Sequence, residues 1–234
     1  MQLRRMLVNP VSALLFGACV IYPSALAHAD TIAWASWSTG TSGNPGSASG
    51  TVGGINVSYS GQTSGLTNVP SWTPASTFTG GEVGNAPPHT PTIQLQGGTS
   101  LLETISFSST VVDPIFAIWS LGAGGAPASF NFSSKSGQPF SLLGGGPSAE
   151  FGGSALTSTG SVVNGVEGNG LVQFSGAFDS ITFTTPNFEN YYAFTVGYDA
   201  TLTPPSVPEP ATLSLFGLGV AALPLLRRSL SRHS

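Results

Sequence analysis

The side chains able to do acid, base or nucleophilic chemistry are few and scattered. Between residues 30 and 203 the only histidine is His89, set among Pro87, Pro88 and Pro91 in what reads as a loop. A Ser-His-Asp triad would need that imidazole, yet no G-x-S-x-G elbow accompanies it, and a solvated loop histidine accounts for it. Zinc needs three or four His, Cys or carboxylate ligands, and one imidazole without a thiol does not supply the usual nitrogen and sulfur. There is no G-x-x-x-x-G-K-[ST] and no G-x-G-x-x-G opening a helix, so the 31 glycines read as turn chemistry and not as phosphate cradles. No catalytic residue, cofactor or dedicated metal site is expected, and the chain does not read as an enzyme.

Carboxylates offer more. Nine of them (Asp30, Glu82, Glu103, Asp113, Glu150, Glu167, Asp179, Glu189 and Asp199) stand between residues 30 and 206 against the single cation Lys135, a balance of −8. That balance excludes nucleic acid as a partner, because neutralising phosphates takes clustered Lys and Arg. Calcium is bound by hard oxygens gathered from separate loops, and Asp30, Asp113, Glu167, Asp179 and Asp199 sit near predicted strand ends. No D-x-[DN]-x-[DN]-G loop is present, and solvated acids on a chain with only 7% charged residues explain the same positions. A carboxylate pair for glycoside hydrolysis is set by the fold and carries no sequence signature here. For a glycan-binding module the chemistry would be aromatic stacking: Trp72, in a polar loop, and one of the neighbours Tyr191 and Tyr192, which point to opposite faces of a strand, are the candidates, while Trp119 belongs to the core.

The elements that must position these groups are strands. No segment between the ends sustains a helical period, and Gly and Pro are too frequent for long helices. Phe194, Val196 and Tyr198 alternate onto one strand face, and residues 115–120 are apolar on both faces, as in a central strand. Comparable runs at 31–37, 54–59, 92–95, 103–107, 129–132, 140–143, 161–163, 171–174 and 181–184 bring the total to about ten strands. The body, residues 30–203, is therefore expected to be an all-β, antiparallel sandwich of jelly-roll-like form. Residues 39–54 and 61–91 hold few apolar anchors and read as long surface loops; Asn164-Gly165 and Asn169-Gly170 read as turns, and Gly144-Gly145-Gly146-Pro147 as a flexible connector.

The two ends are built differently. Residues 1–29 have a charged start with Arg4 and Arg5, an apolar run at 11–21, and small residues at Ala27 and Ala29, the layout of a secretory signal peptide cut by signal peptidase after Ala29. Phe16-Gly17-Ala18-Cys19 is a poor lipobox, with Phe where Leu is preferred; once the signal is removed, the chain holds no cysteine. At the other end, residues 204–234 run from Pro204 to Pro210, then through an uncharged stretch at 211–226, then into Arg227, Arg228 and a basic tail. Sixteen helical residues would span about 24 Å, slightly short of the roughly 30 Å hydrocarbon core, and the basic tail would hold its end in the cytoplasm.

This ordered set, Val207-Pro208-Glu209-Pro210-Ala211-Thr212, an apolar helix and Arg227-Arg228, resembles the C-terminal sorting signal of PEP-CTERM proteins. The resemblance covers about 25 residues, and the preceding signal peptide is what that pathway requires. It implies that Pro208, Glu209 and Pro210 are recognised by an exosortase, that the helix inserts transiently in the inner membrane of a Gram-negative bacterium, and that the tail is then removed. The implied destination is the cell surface or an exopolysaccharide or biofilm matrix, with exosortase and signal peptidase as partners during export. The body is expected to be structural or adhesive and non-enzymatic; a carbohydrate-binding module for matrix glycan is the second reading, and a surface hydrolase the third.

Overall fold

The computed structural model describes residues 29–133 and 138–203. In chain order its strands are β1 (Ala33–Trp34), β2 (Ser36–Thr41), β3 (Gly43–Val52), β4 (Ile55–Thr63), β5 (Gly65–Thr67), β6 (Thr92–Gly97), β7 (Glu103–Val112), β8 (Ile115–Leu121), β9 (Ala128–Asn131), β10 (Phe140–Gly145), β11 (Ser154–Ala155), β12 (Thr157–Thr159), β13 (Val162–Gly165), β14 (Gly168–Phe174), β15 (Ala177–Phe183) and β16 (Phe188–Tyr198). One 3-10 turn, Ala75–Phe78, interrupts them. All pairings but the short parallel β11–β14 ladder are antiparallel.

Strand β8 is apolar on both faces because both faces are covered: all seven of its residues are buried. It lies inside an eight-stranded sheet with the path β10-β14-β8-β16-β6-β5, to which β1 and β11 add. A five-stranded sheet, β15-β7-β4-β3-β2, packs across from it, and a three-stranded sheet, β12-β13-β9, adds Phe130 and Val163 to the same core. The main core lies between the layers. Phe116 on β8 has its ring centroid 5.7 Å from Phe183 on β15, 5.3 Å from Phe194 on β16 and 5.4 Å from Phe174 on β14. Tyr59 on β4 reaches Phe194 across the same gap at 5.7 Å. Phe194, Val196 and Tyr198 do share the core face of β16. Each buried phenylalanine contributes on the order of 2 kcal/mol from burial alone, and edge-on ring pairs add to it.

The structure corrects several local expectations. Residues 39–54 are not a loop: they form the end of β2 and the ten-residue β3, paired along their length with each other and with β4. Only Ala48 and Val52 of β3 are buried, so Ser, Gly and Thr fill the outward positions and mask the alternation. Asn164-Gly165 and Asn169-Gly170 lie within β13 and β14; the chain turns instead at Val166 and Glu167. Gly144 and Gly145 extend β10 and are not a loose connector. Of residues 61–91, expected as a loop, 61–63 complete β4 and 65–67 form β5; only 68–91 are irregular, apart from the 3-10 turn, and they bring Trp72, Phe78 and Val83 as buried anchors. Among the described residues no helix is long and apolar enough to cross a membrane.

Replacing Phe116 by alanine removes a ring that touches both sheets, and should lower unfolding stability by about 3–5 kcal/mol. Ser58→Ala, on an exposed strand face, should change it by less than about 0.5 kcal/mol. Guanidinium unfolding followed by tryptophan fluorescence measures both; a small loss for Phe116→Ala would contradict the central place given to this ring.

Candidate functional site

The outward face of the eight-stranded sheet carries a second apolar layer, in which Trp34, Ile115, Trp119 and Leu171 are covered by Trp72, Phe78 and Val83. At its rim lies Glu150. Its Oε1 accepts the Ser71 backbone N–H at 2.7 Å and its Oε2 accepts the Trp119 indole N–H at 3.0 Å. Burial raises the Glu150 carboxyl, but the Ser71 and Trp119 donors outweigh it and hold the group below the usual carboxylate range. Phe151 packs on Trp119 with ring centroids 5.3 Å apart, and Tyr191 meets the same indole edge-on at 5.6 Å. Phe151 is 54% exposed. Tyr191 is half-buried, with its hydroxyl 2.5 Å from the Thr67 hydroxyl. This rim is an aromatic step beside an ionised carboxylate.

Of the three aromatic candidates only Tyr191 is placed to meet a ligand. Trp72 is 2% exposed, packed edge-on against Phe78 at 5.0 Å, because the segment it sits on folds down over the sheet. Tyr192 points the other way from Tyr191, into the main core beside Phe130. Trp119 is core, as expected. Glu150 and Phe151 carry no motif to mark them; the adjacency of an acid and an aromatic residue in a Gly- and Pro-bounded segment is the only sequence signal.

Other polar groups serve the chain itself. His89 is exposed, with Nδ1 3.1 Å from the Pro70 carbonyl oxygen. Glu189 accepts the backbone N–H groups of Gly122 and Tyr191, and the Ser120 hydroxyl donates to Glu167 at 2.5 Å. Ser120 and Glu167 are held at φ of 55° and 51°, where the pairing of β8 with β14 changes register. Burial and the nearby Glu167 charge raise Glu189 to about 7 against those two backbone donors. Of the acids considered for calcium, Asp30, Asp113 and Asp199 line one small cavity of about 10 Å³ together with Glu82, while the Asp179 carboxylate instead accepts the Thr110 hydroxyl. Among the described residues no three His, Cys, Asp or Glu side chains are grouped to hold a metal ion.

Glu103 is buried completely between the sheets. The Tyr59 hydroxyl lies 2.6 Å from both Glu103 Oε2 and the Gln62 carbonyl oxygen, and Thr185 donates to Glu103 Oε1. Tyr59 has one proton, and the Gln62 carbonyl can only accept it. Ionised, Glu103 accepts from Tyr59 in competition with the Gln62 carbonyl; protonated, it can donate to Tyr59 and leave the Tyr59 proton to Gln62. Burial pushes its carboxyl up to about 7 despite the Thr185 and Tyr59 hydrogen bonds, and burial with the Glu103 neighbour pushes the Tyr59 hydroxyl far up. A side chain at Gly61 would put a Cβ 2.5 Å from the Tyr59 hydroxyl, so this network requires glycine there.

The deciding observation comes from the far end of the chain. Residues 206–232 match the family model of the PEP-CTERM protein-sorting motif. The chain carries a PEP-CTERM sorting signal. No curated protein and no solved structure gives a significant match. The sorting signal marks an exosortase-targeted exported protein bound for the cell envelope. Pro208, Glu209, Pro210, Arg227, Arg228, the apolar stretch 211–226 and Ala27 of the signal peptidase site lie outside the described residues.

A chain carrying a signal for export is exposed to external pH wherever that sorting completes, and Glu103 responds to pH. Its ordinary value is 4.5 and its folded value about 7, so between them the folded state holds the extra proton. Stability is then fully present below pH 4.5 and lost as pH rises through 7, by on the order of 3 kcal/mol. Glu189 adds a loss of the same sign. Glu103→Gln keeps both hydrogen bonds without a titrating proton; it should flatten much of the decline and be more stable than the natural protein at pH 8. Denaturation midpoints from pH 4 to 8 test this, and identical profiles for the two proteins would refute it.

Proposed function

We propose that this is a non-enzymatic surface or extracellular-matrix protein, sorted by an exosortase and structural or adhesive in an exopolysaccharide or biofilm matrix of a Gram-negative bacterium. The observation that carries the proposal is the sorting motif at residues 206–232. In this reading, signal peptidase acts at Ala27 and Ala29, the stretch 211–226 pauses in the inner membrane, and Arg227 and Arg228 anchor its cytoplasmic end. Prolines 208 and 210 keep the recognised segment extended and poor in internal hydrogen bonds, a form an enzyme can grip. The body supports a mechanical role: its carboxylates Glu103, Glu167 and Glu189 are engaged in holding the chain's own turns and hydroxyls. A jelly-roll-like form fits the way the chain crosses between sheets from β7 to β8, from β14 to β15 and again to β16.

A second reading, a carbohydrate-binding module for matrix glycan, is favoured by the rim of Tyr191 and the exposed Phe151 beside Glu150. An aromatic step of this kind packs against the apolar face of a sugar ring.

The test is made in cells that express the full chain with an exosortase. The natural chain should be shortened and released to the surface or matrix fraction, whereas the Pro208→Ala/Glu209→Ala/Pro210→Ala variant should stay in the membrane fraction at full length. Equal processing of the two chains would overturn the sorting role given to these residues.

A further inference from the structure

We propose that the outer face of the five-stranded sheet is a binding surface for a neutral, polyhydroxylated glycan chain. The site is separate from the Tyr191 rim and does not depend on the sorting motif.

The face is a grid of short hydroxyl side chains in register. Ser49 on β3 pairs with Ser58 on β4, Ser58 with Ser106 on β7, and Ser106 with Ser180 on β15, so one row of serines crosses four strands. A parallel row runs through Ser47, Ser60, Thr104 and Thr182. Strand geometry sets neighbouring hydroxyls about 4.8 Å apart across the sheet and about 6.7 Å apart along it. The middle of the grid is concave: a cavity of about 540 Å³ opens there, floored in part by Ser49, Ser58, Ser106 and Asn56. Its lining includes no charged side chain.

Three features of this face point to a ligand and to its chemistry. The hydroxyls of Ser49, Ser58 and Ser106 make no intramolecular hydrogen bond among the described residues, so each offers a donor and acceptor capacity outward. Serine is not among the residues enriched in strands, so Thr or Val would serve the strand better at the exposed Ser49 and Ser58 and the half-buried Ser106. Finally, the body's balance of −8 repels an acidic polymer, and Lys135 is the only cation between residues 30 and 203. A protein partner would look for aromatic or apolar anchors, which this face does not present. A sugar chain, dense in hydroxyls that both donate and accept, matches the grid; many modest hydrogen bonds spread over several residues favour a polymer over a single sugar.

Affinity electrophoresis of the full chain in gels carrying hydroxyethylcellulose, galactomannan or alginate tests the proposal. Retardation is expected in at least one neutral gel and not in alginate. Ser58→Val/Ser106→Val removes two hydroxyls while suiting the strand, so its melting temperature should not fall, and its dissociation constant should rise by roughly tenfold or more. Ser58→Thr/Ser106→Thr restores the hydroxyls and should recover binding. No retardation in either neutral gel, retardation in alginate alone, or equal retardation of the Val variant would overturn the proposal. So would sedimentation showing a dimer that the Val variant dissolves, since the face would then serve a second copy of the chain. Loss of neutral binding in Tyr191→Ala/Phe151→Ala with the Val variant unaffected would assign the glycan to the aromatic rim and overturn it too.

Discussion

The contact between Phe116 of one sheet and Phe183 of the other is the constraint on which the body depends. Residues 30–203 contain no cysteine and one lysine, so neither disulfides nor salt-bridge networks are available to join the sheets. What remains is burial, and the chain concentrates it in rings: Phe116, Phe130, Phe132, Phe174, Phe183 and Phe194 are all buried within the main core. A domain of this length buries enough surface to stand without staples. Rings that meet edge-on also fix mutual orientation, which a layer of aliphatic side chains would leave looser. The strand register then follows, because a one-residue slip would turn Phe194 and Val196 out of the core.

From that central layer the two outer faces diverge. The eight-stranded sheet is covered by residues 68–91, whose Trp72, Phe78 and Val83 make it a buried layer in its own right. The five-stranded sheet faces outward through hydroxyls instead. The sheet edge is managed without charge as well: the Gln138 side-chain amide donates to the Thr182 carbonyl and accepts its N–H, occupying the ladder positions a further strand would take on β15. Short polar groups do the work that lysine and glutamate usually do on an exposed sheet.

Elements defined by packing were readable, and those defined by polar pairing were not. Residues 115–120 announced a central strand because both faces had to be apolar, and Phe194, Val196 and Tyr198 announced a core face by their period. Strand β3 hid because its two buried residues, Ala48 and Val52, are too few and small to set a period against its serines and glycines. Asn169 looked like a turn residue, yet its buried side chain bonds the backbone of Ser120, Gly152 and Glu167, a use no local pattern predicts. At the site the same division holds. Opposite faces for Tyr191 and Tyr192 follow from strand geometry alone, whereas the burial of Trp72 depends on how a distant segment folds back over the sheet.

The sorting tail and the body answer to different physics, and this limits what each reveals. A sorting segment can be read without reference to what precedes it, so the motif at 206–232 marks the chain for sorting and leaves the role of the body open. The body's role must come from its own surface, and that surface is short of charge. Charged contacts between exposed groups fade beyond a screening length of about 8–10 Å in ordinary salt. Hydrogen bonds made by hydroxyls do not carry that dependence. A protein delivered outside the cell, where ionic strength is not controlled, keeps its contacts under more conditions if its broad face is built from serine and threonine than if it relied on acids and bases. The carboxylates that remain support this division: Glu103 is sealed inside with its carboxyl pushed up to about 7, while Glu150 is tied to the Ser71 backbone and the Trp119 indole.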